Sequence, residues 1–151
     1  MDRNQLASGA KLPNGHGMLL CIDDDIIILE VLKAVLERYG YSVIATSGGP
    51  QGLTILAEYA IDLVILDWEM PEMNGHETAS EIRRMKPEMP IIISSGSQMP
   101  EDTFKIADAF VPKGIEFEVL LTAISDLLGR AATEGLLAPE KTKAAHQERF
   151  S

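Results

Sequence analysis

Short apolar runs alternate five times with segments of helical periodicity, and this alternation constrains the fold more than any other feature of the chain. Each run is bounded by turn residues and is typical of a buried strand. The predicted strands are residues 18–22, 41–46, 63–66, 91–93 and 109–112. Strands separated by helices are joined by right-handed βαβ crossovers, which make the strands parallel. The sequence therefore predicts an α/β fold, a doubly wound five-stranded parallel sheet with helices on both faces.

The helical segments are marked by apolar residues three and four positions apart and by residues suited to helix ends. Asp25 is predicted to cap the N-terminus of the first helix, and Gly40 to follow its C-terminus. The last helix is predicted over residues 116–128, with Gly129 as its end. Residues 97–108 are acidic and weakly periodic, so the fourth helix is expected to be shortened or irregular.

At 151 residues the chain suits one domain with a substantial core, predicted to span residues 18–130. Residues 1–17 are polar and contain Gly, Asn and Pro without a period, which predicts a flexible N-terminal arm. Residues 131–151 are polar and Ala-rich. They are predicted to form a C-terminal tail that is too short for a second domain.

The composition argues against several functional classes. A net charge of -10 argues against nucleic acid and anionic membranes as partners, because both require a basic surface. The single cysteine, Cys21, excludes an internal disulfide and a Cys-based zinc site, and its apolar neighbours predict a core residue. No apolar run is long enough to span a membrane and no secretory signal is present, so a cytoplasmic protein is expected.

Polar side chains follow four of the predicted strands, at the ends where open α/β sheets bind ligands. Asp23 and Asp24 follow the first strand, Asp67 the third, Ser95 the fourth and Lys113 the fifth. Because parallel strands end at the same edge of a sheet, these residues are expected to converge. Three crowded carboxylates repel each other, and a hard divalent ion such as Mg²⁺ would relieve this repulsion.

The same cluster is suited to phosphoryl transfer. Once its charge is neutralised, Asp67 can act as a nucleophile toward phosphorus and form an acyl phosphate. The three oxygens of a phosphoryl group need positioned charge around them. Mg²⁺, the Lys113 ammonium and the Ser95 hydroxyl are able to meet one oxygen each.

These residues, together with the segment DWEMPEMNG at positions 67–75, resemble the receiver domain of two-component response regulators over about residues 17–130. The resemblance implies a flavodoxin-like fold. It also implies a stand-alone signalling switch rather than an enzyme, phosphorylated by a sensor histidine kinase or a phosphotransfer protein. A downstream protein target, which the sequence does not specify, would read the phosphorylated state.

For the site, the resemblance implies a role for each residue. Asp67 would be the phosphoacceptor, and Lys113 and Ser95 would contact the phosphoryl group. Mg²⁺ would be held by Asp24 and Asp67 directly, by Asp23 largely through water, and by the backbone carbonyl of Glu69. Phe110 matches the position of the family's aromatic switch residue, whose ring reorients with the hydroxyl of Ser95.

Two features depart from the family pattern. Gly114 follows Lys113, where the family usually has Pro after a cis bond. A cis bond before a non-proline residue costs about 2.5–4 kcal/mol, so a trans bond and a differently shaped loop are expected. The segment between Ser95 and Lys113 is also several residues shorter than is usual, which implies a reduced fourth helix and an altered output face.

Two other functions stay open at this level. A degenerate receiver would bind partner proteins without phosphorylation, although the complete set of polar residues speaks against it. A phosphatase of the haloacid dehalogenase type also forms an aspartyl phosphate. That family needs a second Asp two residues after the nucleophile, where this chain has Glu69.

Overall fold

The computed structural model describes residues 16–96, 98, 101 and 103–136. Five strands alternate with five helices along this part of the chain. In chain order they are β1 (Met18–Ile22), α1 (Ile26–Arg38), β2 (Ser42–Thr46), α2 (Gly49–Glu58), β3 (Leu63–Asp67), α3 (Gly75–Met85), β4 (Ile91–Ser95), α4 (Thr103–Ile106), β5 (Ala109–Pro112) and α5 (Phe117–Leu136). Most of the predicted arm, residues 1–15, and much of the predicted tail, residues 137–151, lie outside the described residues.

All five strands form one parallel sheet in the order β2-β1-β3-β4-β5, which confirms the predicted doubly wound α/β fold. The chain passes from β1 outward to β2, then returns across β1 to β3 and continues in the opposite direction. The strand order therefore reverses between β1 and β3. Their carboxyl ends border the crevice in which open α/β sheets bind ligands.

Apolar residues cover both faces of the sheet. On one face the strands pack with Leu29 of α1 and Ile124 of α5, and we call this the α1/α5 layer. On the other face they pack with Leu56 of α2 and Ile82 of α3, the α2/α3 layer. Cys21 is buried in the α1/α5 layer, and burial raises the pKa of its thiol to about 12, so it is a core residue as predicted.

The ends of α1 are formed by the predicted residues. The Asp25 side chain accepts hydrogen bonds from two backbone N–H groups of the first turn, at 3.0 and 3.2 Å. After the helix, Gly40 adopts a φ of 95°, and the N–H of Tyr41 donates to the carbonyl of Leu36 at 3.2 Å. Residues with a side chain are disfavoured at this left-handed φ, which explains the glycine.

The lengths of α4 and α5, the helices before and after β5, can be compared with the predicted ones. α4 has only four residues, which confirms that the fourth helix is shortened. α5 has 20 residues and continues to Leu136, so the prediction that Gly129 ends this helix is wrong. A glycine inside a helix costs only about 1 kcal/mol, and the arginine and alanines that follow it favour the helix. None of the described helices is long and apolar enough to cross a membrane.

Candidate functional site

Asp67 is the last residue of β3, where a buried strand reaches the carboxyl edge of the sheet. The four preceding residues, 63–66, are at most 3% exposed, and Asp67 itself is 4% exposed. The backbone N–H of Glu69 donates to Asp67 Oδ1 at 3.4 Å, a long hydrogen bond. An apolar strand that ends in aspartate thus places a carboxylate at the crevice with little access to water.

Three carboxylates meet at the carboxyl ends of β1 and β3. One oxygen from each of Asp23, Asp24 and Asp67 lies within 4.8 Å of the other two. Asp23 and Asp67 are buried and Asp24 is exposed. Asp23 is oriented by the backbone N–H of Asp25, which donates to its Oδ1 at 2.9 Å. Hard divalent cations prefer such oxygen ligands, so these residues fit a cation of this kind.

Lys113 extends into this cluster from the loop after β5. Its Nζ lies 2.9 Å from Asp23 Oδ2 and 3.1 Å from Asp67 Oδ1, so it bridges the two buried carboxylates. Because β4 lies between β3 and β5, only a long side chain can reach Asp67 from this loop. Burial alone would lower the pKa of Lys113, but the hydrogen bonds and charges of Asp23 and Asp67 outweigh burial and raise it.

Asp67 holds a proton more tightly than an ordinary carboxyl group does. Burial, reinforced by the negative charge of Asp23, raises the pKa of Asp67 from 3.8 to about 6, although Lys113 acts to lower it. One lysine therefore does not neutralise the cluster. A bound cation would offset the remaining repulsion and favour the ionised, nucleophilic form of Asp67.

Ser95 and Phe110 lie on the two strands beyond Asp67. Ser95 is buried and is the last residue of β4, and its carbonyl accepts the backbone N–H of Lys113 at 2.9 Å. Phe110, in β5, is partly buried against the α2/α3 layer. The structure therefore brings Ser95 to the edge of the site and places Phe110 on the neighbouring strand. Their movement on phosphorylation stays a prediction.

The loop after Asp67 leads into α3 at Gly75. The sequence motif contains this glycine but does not explain why a glycine is needed there. The Gly75 N–H donates to the carbonyl of Trp68 at 2.8 Å. A Cβ at Gly75 would lie 2.6 Å from both the Asp67 carbonyl oxygen and the Trp68 Cα, so only glycine allows this approach. Asn74 and Glu77 then begin α3 with a capping box. The backbone that follows Asp67 is therefore held at the start of α3.

Several exposed apolar side chains adjoin the acid cluster. They do not belong to the apolar faces by which the helices were predicted. They are 45–73% exposed and comprise Ile26, Ile27 and Val31 of α1 together with Ile115 and Val119 at the start of α5. We call this set the α1/α5 apolar surface. Neighbouring residues of the same two segments line one cavity that reaches Asp23 and Asp67. The sequence signal was the run of four apolar residues that starts α1, which is too long for one helix face.

The loop that carries Lys113 has the expected backbone. No peptide bond among the described residues is cis, so the bond before Gly114 is trans. Gly114 has a φ of 85°, a left-handed conformation that favours glycine. The absence of proline after Lys113 is thus accommodated by a glycine turn.

The chain matches the family model of the response regulator receiver domain over residues 19–125. It belongs to this family. Receivers are signalling switches and do not turn over a separate substrate as enzymes do, and this family assignment leaves the dehalogenase-type phosphatase without support. The predicted resemblance is therefore confirmed.

Relatives of this receiver include longer regulators and solved receiver structures. It is 35% identical over 118 residues to transcriptional regulatory protein GlrR of Escherichia coli, covering 76% of this chain and only 27% of GlrR. It is 33% identical to response regulator TrrA of Thermotoga maritima, solved in complex with Mg²⁺ and BeF, with a TM-score of 0.70. TrrA has also been solved in complex with histidine kinase ThkA, with 34% identity and a TM-score of 0.70. Both comparisons cover 74% of this chain and 98% of TrrA.

Proposed function

We propose that this receiver is a phosphorylation-dependent switch of a two-component system. Asp67 accepts the phosphoryl group of a phosphohistidine on a sensor kinase or a phosphotransfer protein. The observation that carries this proposal is the buried Asp67 carboxylate, which shares a cluster with two other carboxylates and with Lys113. An arrangement that raises the pKa of a buried carboxyl group opposes its ionisation, and such arrangements are concentrated at functional sites.

Mg²⁺ is the cofactor that we propose for this cluster. Asp24 and Asp67 would hold it directly, Asp23 largely through water, and Glu69 through its backbone carbonyl. When bound, Mg²⁺ supplies positive charge that neutralises the carboxylates and stabilises phosphoryl oxygens. The relative TrrA, solved with Mg²⁺ and BeF, supports this choice of ion.

Phosphoryl transfer forms one bond and breaks one. An oxygen of Asp67 attacks phosphorus, the bond between phosphorus and the histidine nitrogen breaks, and its electron pair stays on that nitrogen. Lys113, which is 3.1 Å from Asp67 at rest, turns toward one oxygen of the arriving phosphoryl group. The Ser95 hydroxyl donates to another oxygen, and these donors stabilise the charge of the transition state.

The phosphodonor docks on the α1/α5 apolar surface defined above. Exposed apolar patches of this kind mark interaction sites, and this one adjoins the cavity that reaches Asp67. The structure of TrrA with histidine kinase ThkA supports a histidine kinase as the donor. The downstream target reads a change that begins at Ser95, continues through Phe110 and reaches the face beside the four-residue α4.

Phosphorylation by a small donor tests this proposal without knowledge of the kinase. Incubation with Mg²⁺ and acetyl phosphate should add one acid-stable, base-labile phosphoryl group, measured as intact mass. Asp67→Asn should abolish the adduct, whereas Asp126→Asn, on the exposed face of α5, should retain it. If neither acetyl phosphate nor any kinase yields an adduct, the phosphorylation-independent binding module replaces the switch.

The separate roles of the cluster residues are tested by fluorescence of Trp68, which is half-buried next to Asp67 and contacts the His76 ring edge-on. Asp24→Ala should weaken the Mg²⁺-dependent fluorescence change. Lys113→Ala should retain Mg²⁺ binding, because it removes no metal ligand, but it should lose the response to beryllofluoride, because it removes the phosphoryl contact. Equal losses of Mg²⁺ affinity in the two variants would contradict the assigned roles.

A further inference from the structure

Ser94 is a polar residue next to the apolar α1/α5 layer, and none of the roles above uses it. In the parallel ladder it pairs with Asp67 of β3 and with Val111 of β5. Strand side chains alternate between faces, so Ser94 shares the α1/α5 face with Ile92, whereas Ser95 belongs to the opposite face. Because adjacent strands lie about 4.8 Å apart, the Ser94 side chain begins beside that of Asp67.

A cavity of about 210 Å³ brings Ser94 into the same space as the acid cluster. Asp23, Asp67 and Lys113 line this cavity with Ser94, and most of the remaining wall is apolar. Ser94 is partly buried, and within the described part of the chain no group is hydrogen-bonded to its hydroxyl. Because Ser94 lines the cavity, its hydroxyl is available to a group that enters or changes position in the site.

We propose that the Ser94 hydroxyl donates a hydrogen bond to the Asp67 carboxyl group of the phosphorylated protein and shortens the lifetime of the acyl phosphate. This inference rests on the proposed function. At rest Lys113 and the more distant backbone N–H of Glu69 donate to Asp67 Oδ1, at 3.1 and 3.4 Å. When Lys113 turns toward the phosphoryl group, the Asp67 carboxyl group loses the closer donor. Ser94 is the hydroxyl paired with it on the same face of the sheet.

The hydrogen bond is expected to affect the rate at which the acyl phosphate is hydrolysed. The oxygen of a water molecule attacks phosphorus, and the bond between phosphorus and the Asp67 oxygen breaks. The electron pair returns to the Asp67 carboxylate, inorganic phosphate leaves, and the surplus proton passes to solvent. Negative charge therefore develops on Asp67 in the transition state, and a hydroxyl donor stabilises it. One such hydrogen bond to a partial charge accelerates the step by roughly three- to tenfold.

The variants Ser94→Thr and Ser94→Val test this inference, because their side chains have nearly the same shape and differ in the hydroxyl. Each is phosphorylated with acetyl phosphate and Mg²⁺, the donor is removed, and phosphate release is followed. The Thr variant should decay like the wild type, and the Val variant should decay about three- to tenfold more slowly. Ser94→Ala, which leaves the site uncrowded, should resemble Val. Equal decay in the Thr and Val variants would overturn the inference.

An infrared measurement adds a readout that altered packing alone would not reproduce. With ¹³C-labelled aspartate, the carbonyl band of the acyl phosphate should lie at lower frequency in the wild type and the Thr variant than in the Val variant. A common frequency in all three overturns the Ser94 inference and leaves the proposed function intact. If none of them, the wild type included, accepts a phosphoryl group, both proposals are overturned.

Discussion

At the scale of single residues, Asp67 combines a buried position with a nearby like charge, and both disfavour its ionised form. Its pKa of about 6 lies above the value of 3.8 expected in an unfolded chain. A group whose pKa is raised by folding stabilises the fold at low pH, and this contribution is lost as the pH rises through the folded pKa. Ionisation of Asp67 therefore lowers the free energy of unfolding of the metal-free protein near neutral pH.

Asp67→Asn is thus expected to stabilise the metal-free protein at pH 7.5 by on the order of 1–3 kcal/mol. The gain should fade as the pH falls from 6 to 4, because the wild-type carboxyl group then becomes protonated. Mg²⁺ should shrink or reverse the difference, since the variant has lost a ligand. Urea unfolding with EDTA or Mg²⁺ measures these free energies, with the exposed Asp126→Asn as the control. An Asn variant that is less stable than the wild type at pH 7.5 in EDTA would refute this.

At the scale of elements, Arg83 joins α3 to the segment between α4 and β5. Its guanidinium donates to the carbonyls of Ile106, Pro87 and Met89 and pairs with Asp108 at 2.9 Å. Asp108 in turn accepts the first backbone N–H of β4 at 2.8 Å. One side chain therefore fixes the end of the shortened α4 that adjoins β5.

Arg83→Lys should lower the free energy of unfolding by about 1–3 kcal/mol, because a single ammonium group cannot reach all of these acceptors. Arg84→Lys is the matched control one residue later, since among the described residues Arg84 pairs only with Glu81, on the exposed surface of α3. The control should remain close to the wild type. Urea unfolding compares the two, and equal losses would show that Arg83 does not anchor this segment.

Gly75 and Gly129 differ in what surrounds them, so replacing each by alanine is expected to have opposite effects on stability. Gly75→Ala should destabilise the protein by roughly 2–4 kcal/mol and slow phosphorylation, because its Cβ would collide with the backbone of Asp67. Gly129→Ala should stabilise α5 by up to about 1 kcal/mol, because a Cβ there meets no atom of the described residues within 4 Å. Thermal unfolding and the rate of phosphorylation from acetyl phosphate measure both effects. A Gly75 variant that matches the wild type in both would contradict the structure.

The helix ends show how far local sequence rules predict these elements. The cap at Asp25 and the turn at Gly40 follow from side-chain chemistry and backbone freedom within a few residues, so both were predictable. The end of α5 depends instead on the summed preference of many residues. The stop signal at Gly129 is weaker than the helix-favouring residues on both sides, and the prediction therefore failed.

At the scale of the whole molecule, topology assembles the site. A parallel sheet brings the ends of β1, β3, β4 and β5 to one edge, so the convergence of Asp23, Asp24, Asp67 and Lys113 could be predicted from their order in the chain. The α1/α5 apolar surface could not be predicted from the sequence, because it depends on how two distant segments pack beside each other. The cytoplasmic location and the flexible N-terminal arm stay predictions.

Asp67 is the proposed phosphoacceptor, and mapping the modified residue tests this assignment most directly. The protein is phosphorylated with acetyl phosphate and Mg²⁺, the acyl phosphate is reduced with borohydride, and the digested peptides are identified by mass spectrometry. Reduction converts a phosphorylated aspartate to homoserine, which marks the site permanently. We predict homoserine at position 67 and at no other aspartate. A reduced residue elsewhere, or none although the same treatment labels a known receiver, would contradict the account.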